Sequence, residues 1–193
     1  MKTRESYLIR ATNDFRKKFE AHGYELPPVL VSVGFPSKRA TAQQNKCIGE
    51  CWHGEGQKDG TAHIFISPSL DATGPMGALS TLWHECAHAA LPAGAGHGAQ
   101  FKQFMRTTGL EGKATSTHAG EELTAYFQRL DEEFKGYPHN TINTGASGRK
   151  KQTTRLLKVE CQGCEYIARV TRKPLEQFGP PICPGCNEVM TEA

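Results

Sequence analysis

The residues of this chain best able to do chemistry are His84-Glu85-Cys86-Ala87-His88 and, nine positions beyond His88, the His97 of Gly96-His97-Gly98. On a helix, residues four apart lie one turn apart on one face, so His84 and His88 can offer two imidazoles to a single metal ion. Glu85 would stand beside that ion without having to ligate it, where a carboxylate can take a proton from water at the metal. His97 would add a third protein ligand. Three protein ligands and one open position are the layout of a catalytic rather than a structural zinc site. The plainer alternative is a core helix whose two histidines only make hydrogen bonds. Cys86 points off the His84/His88 face and reads as a small buried apolar residue.

A second metal signal lies at the other end. Cys161-Gln162-Gly163-Cys164 and Cys183-Pro184-Gly185-Cys186 are two C-x2-C knuckles separated by 18 residues, a spacing expected of a four-cysteine structural zinc site. Thiolates at i and i+3 of a tight turn converge on one ion, and two such turns complete a tetrahedron. Tyr166 to Val170 alternates as the hairpin of a zinc ribbon would. Two disulfides are the rival reading, and the absence of a secretory signal argues against them. Cys47-x3-Cys51-x-His53 resembles a third cluster only faintly, so Cys47, Cys51 and Cys86 read as free thiols.

Elements must position these groups. Asp71, Thr73 and Pro75 read as the start of the motif helix, with Asp71 or Thr73 as N-cap. Leu79, Leu82, Trp83, Cys86, Ala87, Ala90 and Leu91 make it mostly buried, and Pro92, Gly94 and Gly96 end it. Residues 5–22 place Leu8, Ala11, Phe15 and Phe19 on one stripe of a first helix. Strands are expected at Val29–Gly34, Ile48–Trp52 and Thr61–Ser67, with a polar, basic loop over Phe35–Cys47. Ala99–Thr108 should be a short helix with His97 at its start. Residues 119–135 form the last helix, with Leu123, Phe127, Leu130 and Phe134 on one face. The order predicts an α+β fold, a small and largely antiparallel sheet packed on the motif helix. The expected domains are 1–135, a linker over 136–154, and a four-cysteine ribbon over 155–193.

Composition bounds the rest. Of 193 residues, 37% are hydrophobic and 22% charged, the balance of an ordinary globular protein. Charges interrupt residues 1–10, so no signal-peptide core is seen, and no apolar run reaches the ~20 residues that span a membrane. The expectation is an intracellular protein without membrane contact, cytoplasmic or nucleoid-associated, and monomeric. The net charge of +3 is uneven. Residues 1–144 balance, whereas 145–193 hold eight basic residues (Arg149, Lys150, Lys151, Arg155, Lys158, Arg169, Arg172, Lys173) against five acidic ones. Basic residues on a small zinc module are a modest nucleic-acid signal, and a solvated linker and ribbon surface is the bland alternative.

His84-Glu85-x-x-His88, then Gly96-His97-Gly98-x-x-Phe101-Lys102, then a basic stretch and a four-cysteine ribbon, resembles the SprT-like metalloproteases, relatives of the DNA-dependent protease Spartan. The likeness covers most of the chain and is greatest to the short bacterial and phage forms. It differs from the metzincin pattern, whose third histidine would fall where Gly94 stands. The resemblance implies a zincin-like fold, zinc at His84, His88 and His97, and Glu85 as general base. It also implies proteolysis near DNA, including of DNA–protein crosslinks. Spartan's long C-terminal recruitment tail has no counterpart here, so its eukaryotic partner interactions are not carried over.

These readings predict two zinc ions per chain, one catalytic and one structural on Cys161, Cys164, Cys183 and Cys186. The expected function is a zinc endopeptidase acting on a protein substrate, with DNA held by the basic linker and ribbon. Two alternatives stay open: a zinc peptidase with a dedicated protein target and no DNA dependence, and a non-catalytic nucleic-acid-binding adaptor. DNA stimulation of cleavage separates the first from the second. For a second electrophile the candidates are His118, Tyr126 and His139. Glu121 or Glu122 could orient a ligand histidine, although acidic residues at a helix start need no further reason.

Overall fold

A computed structural model describes residues 3–42, 44–69, 74–138, 142 and 156–193. The expected N-cap at Asp71 or Thr73, His139, most of the linker and the basic residues Arg149, Lys150, Lys151 and Arg155 lie outside the described residues. The chain divides into two compact units, Met1–Ala146 and Ser147–Ala193. Both mix helix and strand, and the fold class is α+β.

In the first unit α1 (Arg4–Ala21) opens on a capping box, in which the Thr3 hydroxyl accepts from the Ser6 N–H and Ser6 Oγ accepts from the Thr3 N–H. Its buried stripe includes Leu8, Ala11, Phe15 and Phe19. Strands β1 (Val29–Val33), β2 (Gly49–Trp52) and β3 (Ala62–Ile66) form one sheet in the order β1-β3-β2. β2 pairs antiparallel with β3, as the short connection between them requires, but β1 pairs with β3 in parallel. The sheet is therefore mixed, not largely antiparallel. A long loop separates β1 from β2, so no tight turn dictates the direction of β1, and alternation of side chains encodes a face but not a direction.

Helix α2 (Gly74–Ala90) packs on this sheet and on α1. Its fully buried side includes Leu79, Leu82, Trp83 and Cys86. Trp83 is the hub of the core, with Phe15 and Phe19 edge-on at 4.7 Å and Phe127 at 5.7 Å between centroids. Edge-to-face pairs of this kind contribute about 0.5–1.5 kcal/mol each beyond the area they bury. Such a hub holds α2 fixed from behind, leaving its other stripe free for chemistry.

Helix α3 (Ala99–Thr108) has the bounds expected of it, set by Gly98 before it and by Gly109 after it, the latter in the left-handed region at φ +83°. Between α3 and α4 (Glu121–Glu133) lies a hairpin that sequence patterning does not reveal, β4 (Leu110–Lys113) and β5 (Ser116–Ala119). Its strands are four residues each, Leu110 is their one buried side chain, and β5 turns only Thr117 and Ala119 to its half-buried face, so no apolar alternation marks either strand. Ala119 belongs to β5, and α4 starts two residues later than expected. Its stripe of Leu123, Phe127, Leu130 and Phe134 is buried as predicted.

The second unit pairs β6 (Leu156–Glu160) with β7 (Ile167–Thr171) and with the short β8 (Thr191–Glu192). A seven-residue helix, α5 (Arg172–Phe178), follows β7 and was not anticipated. Among the described residues, the buried core of this unit is Val159, Cys161, Cys183 and Met190.

Candidate metal centre

Thr81, His84, Glu85 and His88 recur at i, i+3, i+4 and i+7 of α2, opposite its core side, and all four line a cleft of about 420 Å³. The third histidine arrives from outside the helix. Pro92 ends α2, a short 3-10 turn follows at Ala93–Ala95, and Gly96 takes φ +46° and ψ −132°, a conformation that L side chains avoid. His97 follows that bend and turns back onto α2. The three Nε2 atoms then form a triangle, with His84–His88 at 3.1 Å and His84–His97 and His88–His97 each at 3.2 Å.

That triangle is a fit test for a metal. An imidazole nitrogen is either a donor or an acceptor, so three of them cannot satisfy one another by hydrogen bonds. A shared cation does satisfy them. Tetrahedral zinc–nitrogen bonds of ~2.0–2.1 Å imply nitrogen–nitrogen edges of about 3.3 Å, close to those present. The electrostatics agree. Burial pushes His84 down to about 3, with His88 and His97 opposing a further positive charge. Burial likewise lowers His88 to about 4, aided by His97 and His53, and lowers His97. All three are thereby kept in the neutral form that offers a lone pair.

Two features fix the rings. Phe101, fully buried at the start of α3, lies 4.8, 4.7 and 5.1 Å from the His84, His88 and His97 rings and stacks on His88. Thr117 Oγ1 on β5 meets His84 Nδ1 at 2.8 Å. When Nδ1–H donates to that hydroxyl, the Nε2 lone pair is left facing the other two histidines. Thr117 thus takes the place considered for Glu121 or Glu122, which stand exposed in the first turn of α4. A threonine in a polar stretch gave no sequence signal for this.

Glu85 is 7% exposed and lies in the same cleft. Burial raises its carboxyl to about 8, and the negative charge of Glu50 adds to the effect. A cation at the three histidines would favour its ionised form. The backbone of β2 makes room for it: a Cβ on Gly49 would fall 2.5 Å from Glu85 Oε1 and 2.6 Å from Thr81 Cγ2.

The other candidates sort plainly. His118 is exposed, 3.7 Å from Glu111, and does not line the cleft; Tyr126 packs on Phe15, Trp83 and Phe127. His53 does line it, but its Nε2 meets the Leu91 carbonyl at 2.7 Å and its Nδ1 accepts from the Glu55 N–H at 3.1 Å. With both nitrogens engaged, His53 forms no cluster with Cys47 and Cys51. Those two and Cys86 are free thiols, Cys86 fully buried away from the histidines.

In the second unit, Cys161, Cys164, Cys183 and Cys186 bring their sulfurs together. Sγ–Sγ distances are 3.2 Å for 161–186, 3.3 Å for 164–183 and 3.6 Å for 164–186. These exceed the ~2.05 Å of a disulfide and approach the edges of about 3.8 Å of a tetrahedron with zinc–sulfur bonds of ~2.3 Å. The two knuckles match each other. Glu165 and Asn187, each four residues after the first cysteine, are left-handed at φ +60° and +64°, and each N–H returns to that cysteine's carbonyl.

Three convergent imidazoles beside a buried carboxylate, on a helix packed against a small sheet, define a metallopeptidase-like domain with a potential metal site suited to zinc. Residues 28–121, which carry the sheet, α2, His97 and the hairpin, match the SprT-like family. No curated protein and no solved structure matches the chain. Among the described residues, no helix is long and apolar enough to cross a membrane.

Proposed function

We propose that the chain is a zinc-dependent endopeptidase of zincin-like fold that cleaves proteins associated with, or crosslinked to, DNA. The observation that carries the peptidase reading is the Nε2 triangle of His84, His88 and His97 with Glu85 in the same open cleft. The second unit, with a linker over 136–154, would hold a structural zinc on its four cysteines, giving two ions per chain. The DNA association rests on the family likeness and on the basic excess of residues 145–193.

Zinc, when bound, supplies Lewis acidity toward a peptide carbonyl and brings the pKa of water down toward ~7. The protein's own residues do the rest. His84, His88 and His97 would hold the ion, and Thr117 would keep His84 in the ligating tautomer. Glu85 accepts a proton from the attacking water and returns it to the leaving amine. β2 is an edge strand of its sheet and lines the cleft through Gly49 and Cys51, so an extended peptide laid along it would pass Glu85.

The test is cleavage of a DNA-binding protein by the purified full chain, with and without single-stranded DNA, with zinc counted on the same samples. Cleavage that needs DNA and disappears in Glu85→Gln is the expected result. Cleavage indifferent to DNA would sink the DNA association and leave a dedicated peptidase. No cleavage with zinc bound would sink the peptidase reading.

A further inference from the structure

On the first unit, beside the metal cleft, lies a second groove of about 540 Å³ between α3 and β4. Its rim carries Lys102, Arg106 and Lys113, all exposed, and its floor is Met105 and Leu110, both buried. Lys102 and Arg106 are four apart on α3, which puts them on one face about 5–6 Å apart at Cβ. None of the three joins an ion pair among the described residues. The one carboxylate of the groove, Glu111, faces His118 at 3.7 Å. The Ala114–Thr115 turn of the hairpin stands between groove and cleft, Ala114 lining the first and Thr115 the second.

We propose that this groove binds the phosphodiester backbone of a nucleic-acid strand, a contact of the peptidase domain itself and separate from the basic tail. The inference rests on the DNA association proposed above and adds where the strand lies. Three cations against the single carboxylate of Glu111 leave a positive excess that calls for a multiply anionic ligand. A cationic rim on one groove suits a strand whose successive phosphates meet Lys102, Arg106 and Lys113 in turn. The tail holds a further eight basic residues. Two basic segments in one chain fit a long polyanion better than a single phosphate. A strand in the groove would run past the hairpin that bears Thr117, bringing proteins bound to that strand to the mouth of the cleft.

The experiment measures binding of a fluorescent single-stranded oligonucleotide to the full chain over a range of salt. The test variant is Lys102→Ser/Arg106→Ser/Lys113→Ser; Lys17→Ser/Lys38→Ser/Lys58→Ser is the charge-removal control, and zinc content and melting are checked in both. Three lost phosphate contacts on a single strand should lower the log–log salt slope by about 2 and weaken binding by roughly tenfold or more near 0.1 M salt, with the control weakened far less. Equal affinity and slope in the test variant and wild type, or equal losses in test and control, would overturn the groove while leaving the DNA association intact. Poly-glutamate competing as well as oligonucleotide of equal charge would overturn the nucleic-acid assignment in favour of an acidic protein. A wild type that ignores the oligonucleotide at low salt would overturn both the groove and the DNA association, with the peptidase reading untouched.

Discussion

Glu85 and Gly49 are in such close approach that even a methyl group between them has no room: a Cβ on Gly49 would lie 2.5 Å from Glu85 Oε1. The carboxylate is aimed by a strand backbone pressed against α2. Gly49→Ala must therefore push either the strand or the carboxylate aside, with Thr81 blocking a third way out. We expect a destabilisation of about 1–3 kcal/mol, in the range of overpacked cores, and a loss of peptidase activity larger than the stability change explains. Urea melts and cleavage rates on the same preparation check it. Wild-type activity in Gly49→Ala would mean that Glu85 need not sit where it does.

Glu85→Gln keeps the shape of the side chain and removes the proton acceptor. Hydrolysis should fall by on the order of 10²–10⁴, the contribution of general acid–base catalysis, with zinc content unchanged. Zinc quantification beside a cleavage assay decides it. A variant that loses its zinc would make Glu85 a ligand or a structural group.

Thr117→Val deletes the hydroxyl 2.8 Å from His84 Nδ1 and keeps the shape. Partners of metal-bound histidines are worth about 10–100-fold in affinity, so zinc should bind that much more weakly in competition with a chromophoric chelator. Thr117→Ser should restore it. Equal zinc affinity in the valine variant would reduce Thr117 to a packing residue.

Chelation should separate the two units. The second has four buried core residues, two of them the candidate ligands Cys161 and Cys183, so stripping zinc should unfold it. The first has Trp83, Phe15, Phe19 and Phe127 behind α2 and should stay folded. Hydrogen exchange with and without chelator reads both at once. Protection lost from β1, β2 and β3 would contradict this division.

What was legible in the sequence follows from what repeats. Phe15, Phe19, Leu123 and Phe127 recur at helical spacing because the core selects one face, so α1 and α4 could be read within a few residues. His84, Glu85 and His88 were legible because their spacing is itself the geometry. The parallel pairing of β1 was not, since Val29 and Val31 alternate alike in either direction. The β4–β5 hairpin escaped because Leu110 is its one buried side chain, and Thr117 escaped with it. The turn-forming run from Gly112 to Ser116 was the signal available. Gly49 was a missed opportunity, because a glycine inside a strand often marks a close approach of another element.

Phe101 touches all three imidazoles and is itself locked in the core, so packing, together with the Thr117 hydroxyl on His84, holds the histidines in register. An ion entering the first unit finds its donors already ordered, and almost none of its binding free energy is spent on conformational entropy. Release and reloading at that centre can then proceed without passing through a disordered chain. The four-cysteine unit has only a small core behind its sulfurs, and for it the loss of an ion would also be the loss of shape.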